Sequence, residues 1–185
     1  DVTELVRRWR QRDDGPADLI AHHEMAPRPA RVAEFPAWLH PDLRRAFEAR
    51  GIIEPYIHQQ RAADLLHDGK HTVIATSTAS GKSLCYHMPV LDRLVRSAGS
   101  ARALYLFPTK ALSRDQMGDV DAILTTAGHA DLDVAVYDGD TPPAIRRMLR
   151  DSGHLILTNP HMLHTGILPN HTKWESLFGA LDLSL

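Results

Sequence analysis

A lysine set between a glycine and a serine, Gly81-Lys82-Ser83, closes a run of small residues, Ala75-Thr-Ser-Thr-Ala-Ser-Gly-Lys-Ser83. In such a loop successive backbone N–H groups can point inward, and with a helix N-terminus behind them they form an anion site. The Lys82 ammonium would reach the β- and γ-phosphates of a nucleoside triphosphate, and the Ser83 hydroxyl would take one position on Mg²⁺. The expected cofactor contacts are therefore Thr76, Ser77, Thr78, Ala79, Ser80, Gly81, Lys82 and Ser83, with Lys82 and Ser83 also the catalytic members. The strict pattern Gly-x-x-x-x-Gly-Lys-Ser/Thr is not met, because Thr76 replaces the first glycine. Ala79 stands where many such loops carry another, so positive φ is not expected there. A surface turn is the competing reading of the tripeptide.

Other residues offer complementary chemistry. The Gln59 amide has a donor and an acceptor in one plane, suited to the N6/N7 edge of adenine, and Tyr56 is near enough in sequence to pack on the base. Its bland alternative is an exposed glutamine at a helix start. Thr109, Lys110 and Thr158 supply hydroxyls, a cation and backbone N–H groups on loops beside helix starts, which suits successive phosphates of one strand without reading bases. Ordinary strand-terminating turns, with Pro108 and Pro160 in their usual places, are the alternative there.

Elements must bring these residues together. From Pro55 onward the pattern alternates helices with short apolar strands, the signature of a parallel sheet with crossover helices. Strands are expected at 71–76, 103–107, 133–137 and 154–158, and helices at about 58–68, 82–97, 111–127 and 142–150, the second bent at Pro89. In such a sheet the loops after 76, 107, 137 and 158 share one edge and should meet. Upstream, residues 3–12 read as a short amphipathic helix that Thr3 could cap, followed by an Asp13-Asp-Gly-Pro16 turn. An extended, proline-rich stretch follows at 26–30, then a helix from Pro41 to the C′ residue Gly51. The first 54 residues carry no identifiable chemistry.

The 185 residues suit one domain with a small appendage. A formal charge of −2 argues against a polybasic tail, so any polynucleotide contact must be local. The single cysteine, Cys85, cannot form an internal disulfide and reads as a small buried residue. No export signal and no 18-residue apolar run are visible, so no membrane partner and a cytoplasmic location are expected. Twelve histidines are many, and His161, His164 and His171 lie close together, but no fourth ligand accompanies them and a metal site is disfavoured.

The motifs, taken in order, resemble the first RecA-like domain of superfamily 2 helicases of the DEAD/DEAH class. The phosphate loop, Pro108-Thr-Lys-Ala-Leu112 and Thr158-Asn-Pro160 with Leu163 correspond to motifs I, Ia and Ib. The likeness is closer to the Hrq-type, mitomycin-repair-factor branch with a DUF1998-type C-terminal region. Tyr56-Ile-His-Gln59, Tyr105-Leu-Phe-Pro-Thr-Lys-Ala-Leu112 with Asp115-Gln116, Tyr137-Asp-Gly-Asp-Thr141, Leu157-Thr-Asn-Pro-His-Met-Leu163 and Gly166-Ile-Leu-Pro169 carry it. The resemblance implies ATP with Mg²⁺ as cofactor, and single-stranded or forked DNA as partner. It implies 3′-to-5′ DNA translocation or unwinding linked to repair. It places Pro108, Thr109, Lys110, Gly139, Thr141, Thr158, Asn159 and Pro160 at the nucleic acid.

The resemblance also implies an acidic pair, one carboxylate for Mg²⁺ and one for the attacking water, yet no adjacent Asp-Glu occurs in the chain. The expectation is an α/β, RecA-like phosphate-loop domain, incomplete, at 55–185, behind a helical extension at 1–54. It should be an N-terminal piece of a helicase whose second RecA-like domain would supply the other half of the ATP cleft. Alone it should turn over little ATP and unwind nothing. Two alternatives stand beside this reading, another phosphate-loop NTPase such as a small-molecule kinase, and a non-catalytic nucleic-acid or partner-binding module.

Overall fold

The computed structural model describes residues 2–10, 23, 29–77 and 80–184, in two compact units, 1–30 and 31–185. In the first unit α1 (Val2–Arg10) carries Glu4 within 2.8 Å of Arg7 and 3.4 Å of Arg8. These are surface pairs at helical spacing that add a few tenths of a kcal/mol, about 0.3–0.5 each. The expected turn at 13–16 and residues 26–28 of the proline-rich stretch lie outside the described residues.

The second unit is built on a sheet of β1 (Arg102–Leu106), β2 (Val134–Val136), β3 (Leu155–Thr158) and β4 (Leu181–Ser184), in the order β2-β3-β1-β4 with every pair parallel. Because side chains alternate along a strand, β1 and β3 each feed two cores. Ala103, Tyr105, Leu155 and Leu157 point to one face and Leu104 and Ile156 to the other. On the first face lie α2 (Pro41–Ala49), α4 (Lys82–Arg96) and α5 (Lys110–Ala127), burying Leu43, Phe47, Met88, Leu91 and Leu124. The second face is covered by α6 (Pro143–Ser152), a 3₁₀ turn over Leu168–Trp174 and α8 (Glu175–Gly179), through Leu149, Trp174 and Leu177. A parallel sheet needs both coverings, since neither face can be left in water.

The local signals for these helices act as read. Pro41 sits at the first turn of α2, His40 accepts a hydrogen bond from the Asp42 N–H, and Gly51 follows at φ 83°. α4 continues as one helix through Pro89, with nearly every residue from Leu84 to Leu94 buried. α3 (Ile57–His67) is fastened to the segment before α2 by an antiparallel bridge between Val32 and Tyr56. Within it, the Ala33 N–H donates to Pro55 O at 2.9 Å and the Ile57 N–H to Arg31 O at 3.0 Å. Trp38 stacks on His67 at 4.1 Å and donates to Asp64, so residues 31–49 belong to the same packed body as the sheet.

One expectation needs correction. The strand read at 71–76 is absent, since residues 71–77 pair with no described strand and Val73 is 95% exposed. A β-branched run favours extended backbone but becomes a strand only beside a ladder partner, and none of the four described strands supplies one. The stretch after residue 158 is assigned no element from sequence. Short helical turns over Pro160–Gly179 and then β4 occupy it, each too brief to show a period in the sequence.

Candidate nucleotide and nucleic-acid site

Helix α4 opens at Lys82, directly after Gly81, whose φ of 70° and ψ of 32° turn the loop into the helix. The first N–H groups of such a helix lack acceptors within it and face whatever lies before the N-terminus. The Lys82 ammonium is folded back into the loop, donating to Ser77 O at 2.6 Å and Thr76 O at 3.3 Å. The Thr76 and Ser80 hydroxyls lie 3.4 Å from it and 2.6 Å from each other. Oxygens thus converge on one cation at a helix start, an arrangement in which phosphate oxygens could replace the loop's own. Ser83 follows on the first turn, half-buried, and its hydroxyl is of the kind that ligates Mg²⁺. Thr78 and Ala79 lie outside the described residues.

Helix α3 holds this loop from the side. Gln59, 5% exposed, accepts from the Tyr56 N–H at 2.7 Å and donates through Nε2 to Gly81 O at 2.7 Å. Both ends of the amide are therefore engaged by backbone, and reading an adenine edge would require exchanging those bonds. Tyr56 is exposed and stacks at 5.7 Å on His58. His58, which the sequence reading passed over, donates through Nε2 to Ser80 O at 3.1 Å, since a carbonyl can only accept. The adjacent polar pair His58-Gln59 at a helix start was its visible signal.

The remaining candidates gather where β1, β2 and β3 end. The Phe107 N–H donates to Thr158 O at 2.8 Å, and the Thr158 hydroxyl donates to Tyr137 O at 2.7 Å, tying three loops together. Thr158 is buried, so its hydroxyl serves this tie rather than the surface. Thr109 caps α5 by accepting from the Leu112 N–H, and Asn159 caps the Pro160–Met162 turn by accepting from the Met162 N–H. Pro108 and Pro160 are exposed beside them. Of the four loops expected to meet, the hydrogen bonds join those after 107, 137 and 158, while the loop after 76 is held by α3 and by Lys82.

Lys110 projects across this edge and donates to Asp140 at 2.8 Å, a hydrogen bond that holds the Asp140 carboxyl below its ordinary range. A β-carbon on Gly139 would lie 3.9 Å from the same ammonium. Arg114 stands 3.6 Å from Asp138 and 3.7 Å from Asp140. The Thr141 hydroxyl accepts from the Asp138 N–H and donates to Val136 O, and Arg146 donates to the carbonyls of Asp138, Gly139 and Thr141. The Asp138–Thr141 turn is thus a rigid loop with two carboxylates among its cations, which the turn-like sequence alone did not reveal.

A buried polar cluster lies between the two regions. Tyr86 on α4 donates to Gln116 on α5 at 3.0 Å, and His87 Nδ1 lies 3.3 Å from the Tyr105 hydroxyl on β1. His87 is 3% exposed and its Nε2 has no hydrogen-bond partner among the described residues. Burial lowers its pKa to about 4, outweighing the pull of the Asp119 carboxylate. The three clustered histidines of the sequence are not those that group with a carboxylate. Among the described residues the grouping of metal-ligand types is His40, Asp42 and His129, where His129 Nε2 lies 3.2 Å from Asp42. His40 Nδ1 is committed there to the cap of α2. No helix among the described residues is long and apolar enough to cross a membrane.

Comparison with known proteins gives this arrangement its context. Residues 56–183 match the DEAD/DEAH box helicase family. The chain is 45% identical over 177 residues to the uncharacterized ATP-dependent helicase YprA of Bacillus subtilis, covering 96% of this chain and 23% of YprA. It is 38% identical over 159 residues to ATP-dependent helicase HRQ1 of Saccharomyces cerevisiae, covering 84% of this chain and 14% of HRQ1. Among solved structures it resembles the DUF1998 helicase MrfA bound to DNA and AMPPNP, with a TM-score of 0.85 and 43% identity over 97% of this chain and 24% of that one. The chain spans about a quarter or less of each relative. With the Lys82 loop at the head of α4, a second cluster of loops at the sheet edge and a family match across both, the chain belongs to the DEAD/DEAH box helicases.

Proposed function

We propose that residues 55–185 form the first RecA-like, ATP-binding lobe of an ATP-dependent DNA helicase or translocase, with residues 1–54 as its N-terminal extension. The observation that carries this is the Lys82 ammonium enclosed by Thr76, Ser77 and Ser80 oxygens at the start of α4. ATP would displace those oxygens, the α4 N-terminus and Lys82 would hold its phosphates, and Ser83 would contribute a hydroxyl to Mg²⁺. Lys110, Gly139 and Thr141, with the caps at Thr109 and Asn159, would lie along one strand of single-stranded or forked DNA, contacting phosphates without reading sequence. MrfA is bound to DNA and AMPPNP in its structure, which supports DNA and an adenine nucleotide as the two ligands. Movement 3′-to-5′ and a place in DNA repair are part of the proposal, supported by the likeness to HRQ1 and MrfA. A second RecA-like domain of the same protein would complete the ATP cleft.

The test is Lys82→Ala in the full-length protein. Binding of a fluorescent ATP analogue should fall at least tenfold with circular dichroism unchanged, and DNA-stimulated ATPase should disappear. Unchanged nucleotide affinity would overturn the assignment. The isolated 185 residues should bind nucleotide weakly and show no DNA-stimulated ATPase, because no adjacent Asp-Glu pair is present in them.

A further inference from the structure

A recess of about 340 Å³ opens between α6 and the 3₁₀ turn, lined by Tyr137, Arg146, Arg147, Arg150, Lys173 and Trp174 among others, with no carboxylate in its wall. Its floor is Tyr137 and Trp174, buried and in edge-to-face contact at 4.9 Å. Four cations around one recess are conspicuous in a chain whose formal charge is −2. Arg146 is stacked 5.5 Å over the Tyr137 ring, and its Nε and Nη2 donate to the turn carbonyls. The side chains of Arg147, Arg150 and Lys173 have no hydrogen bond or ion pair among the described residues.

Helix chemistry explains only part of this. Arg150 near the C-terminus of α6 suits the helix dipole, but Arg146 and Arg150 at i, i+4 repel by a few tenths of a kcal/mol, about 0.2–0.5. Lys173 comes from a separate element and adds a further like charge. Such convergence is favourable when an anion sits between the cations.

We infer that this recess binds backbone phosphates of nucleic acid, continuing the track beyond the sheet edge. Arg146 links the two places physically, since the turn it clamps carries Gly139 and Asp140, which meet Lys110. Because Arg146 both clamps the turn that Lys110 meets and lines the recess, a strand held at Lys110 could continue to it, where guanidinium groups and an ammonium meet phosphate without selecting bases. The inference rests on the helicase reading above and adds to it a second contact zone, which borders the motif stretches at Tyr137 and Gly166 and draws its free cations from Arg147, Arg150 and Lys173.

The test is Arg147→Ala with Lys173→Ala in the full-length protein, read by fluorescence anisotropy on a single-stranded and a forked oligonucleotide. Between about 50 and 200 mM salt the log–log slope of affinity against salt should be shallower by about 1.4–1.8, from two lost phosphate contacts. That is roughly a tenfold difference in how far binding falls over the range. Affinity for a fluorescent ATP analogue should be unchanged, which shows that the variant is folded. An identical slope in variant and wild type overturns the inference and leaves the helicase reading intact, whereas a wild type that binds neither ligand sinks that reading itself. If polyglutamate binds wild type and not the variant while both slopes agree, the recess serves an acidic polypeptide and the inference is likewise overturned.

Discussion

Gly81 is confined twice over. Its φ of 70° is costly for any residue with a β-carbon, and a β-carbon built there would lie 2.5 Å from Gln59 Nε2. Gly81→Ala should lower stability by about 1–2 kcal/mol and weaken nucleotide binding, checked by urea unfolding and analogue affinity. If the sheet edge holds a nucleic-acid strand as proposed, Asp140 and a backbone phosphate compete there for Lys110. Both side chains are about half exposed or more, 46% and 65%, so their pair contributes little to folding. Asp140→Asn should leave the unfolding midpoint unchanged and tighten DNA binding roughly two- to fivefold at low salt, an effect that fades as salt rises. Gln59 shows what sequence could not convey. Its residue type pointed to the nucleotide site, but its bond to a carbonyl 22 positions away depends on how α3 meets the loop.

The helices that frame the site were legible because each carries a local start signal: glycine before Lys82, a threonine cap before Lys110, prolines before Ala144. Their boundaries in the structure fall within a residue or two of those signals. The strand at 71–76 failed for the opposite reason, since strand formation depends on a neighbour that composition does not announce. β4 and the turns between Pro160 and Gly179 were missed because elements of three to seven residues, run together, give too few repeats to show a period. The packing of α4 against β1 leads to a pH prediction. His87 holds a folded pKa of about 4 against an ordinary 6.5, so the unfolded chain takes up the proton first as pH falls. Its contribution is present above about pH 6.5 and is lost progressively toward pH 4, roughly 3 kcal/mol in full. His87→Leu should flatten the fall in thermal unfolding midpoint between about pH 7 and 5. A slope that persists unchanged would place the sensitivity elsewhere.

At the scale of the molecule, the sheet is sealed on both faces, so its chemistry is confined to its rim and to the loop that α3 and α4 hold between them. The short bridge joining Val32 to Tyr56 bears on where the chain can be cut. A truncation beginning at residue 31 keeps the clasp over the first turn of α3. One beginning at residue 41 discards it together with Phe35 and Leu39, both buried in the core beside α4. The shorter form should then lose grip on Gln59, and through it on the carbonyl of Gly81, so that residues far back in the chain determine how firmly the loop before α4 is braced.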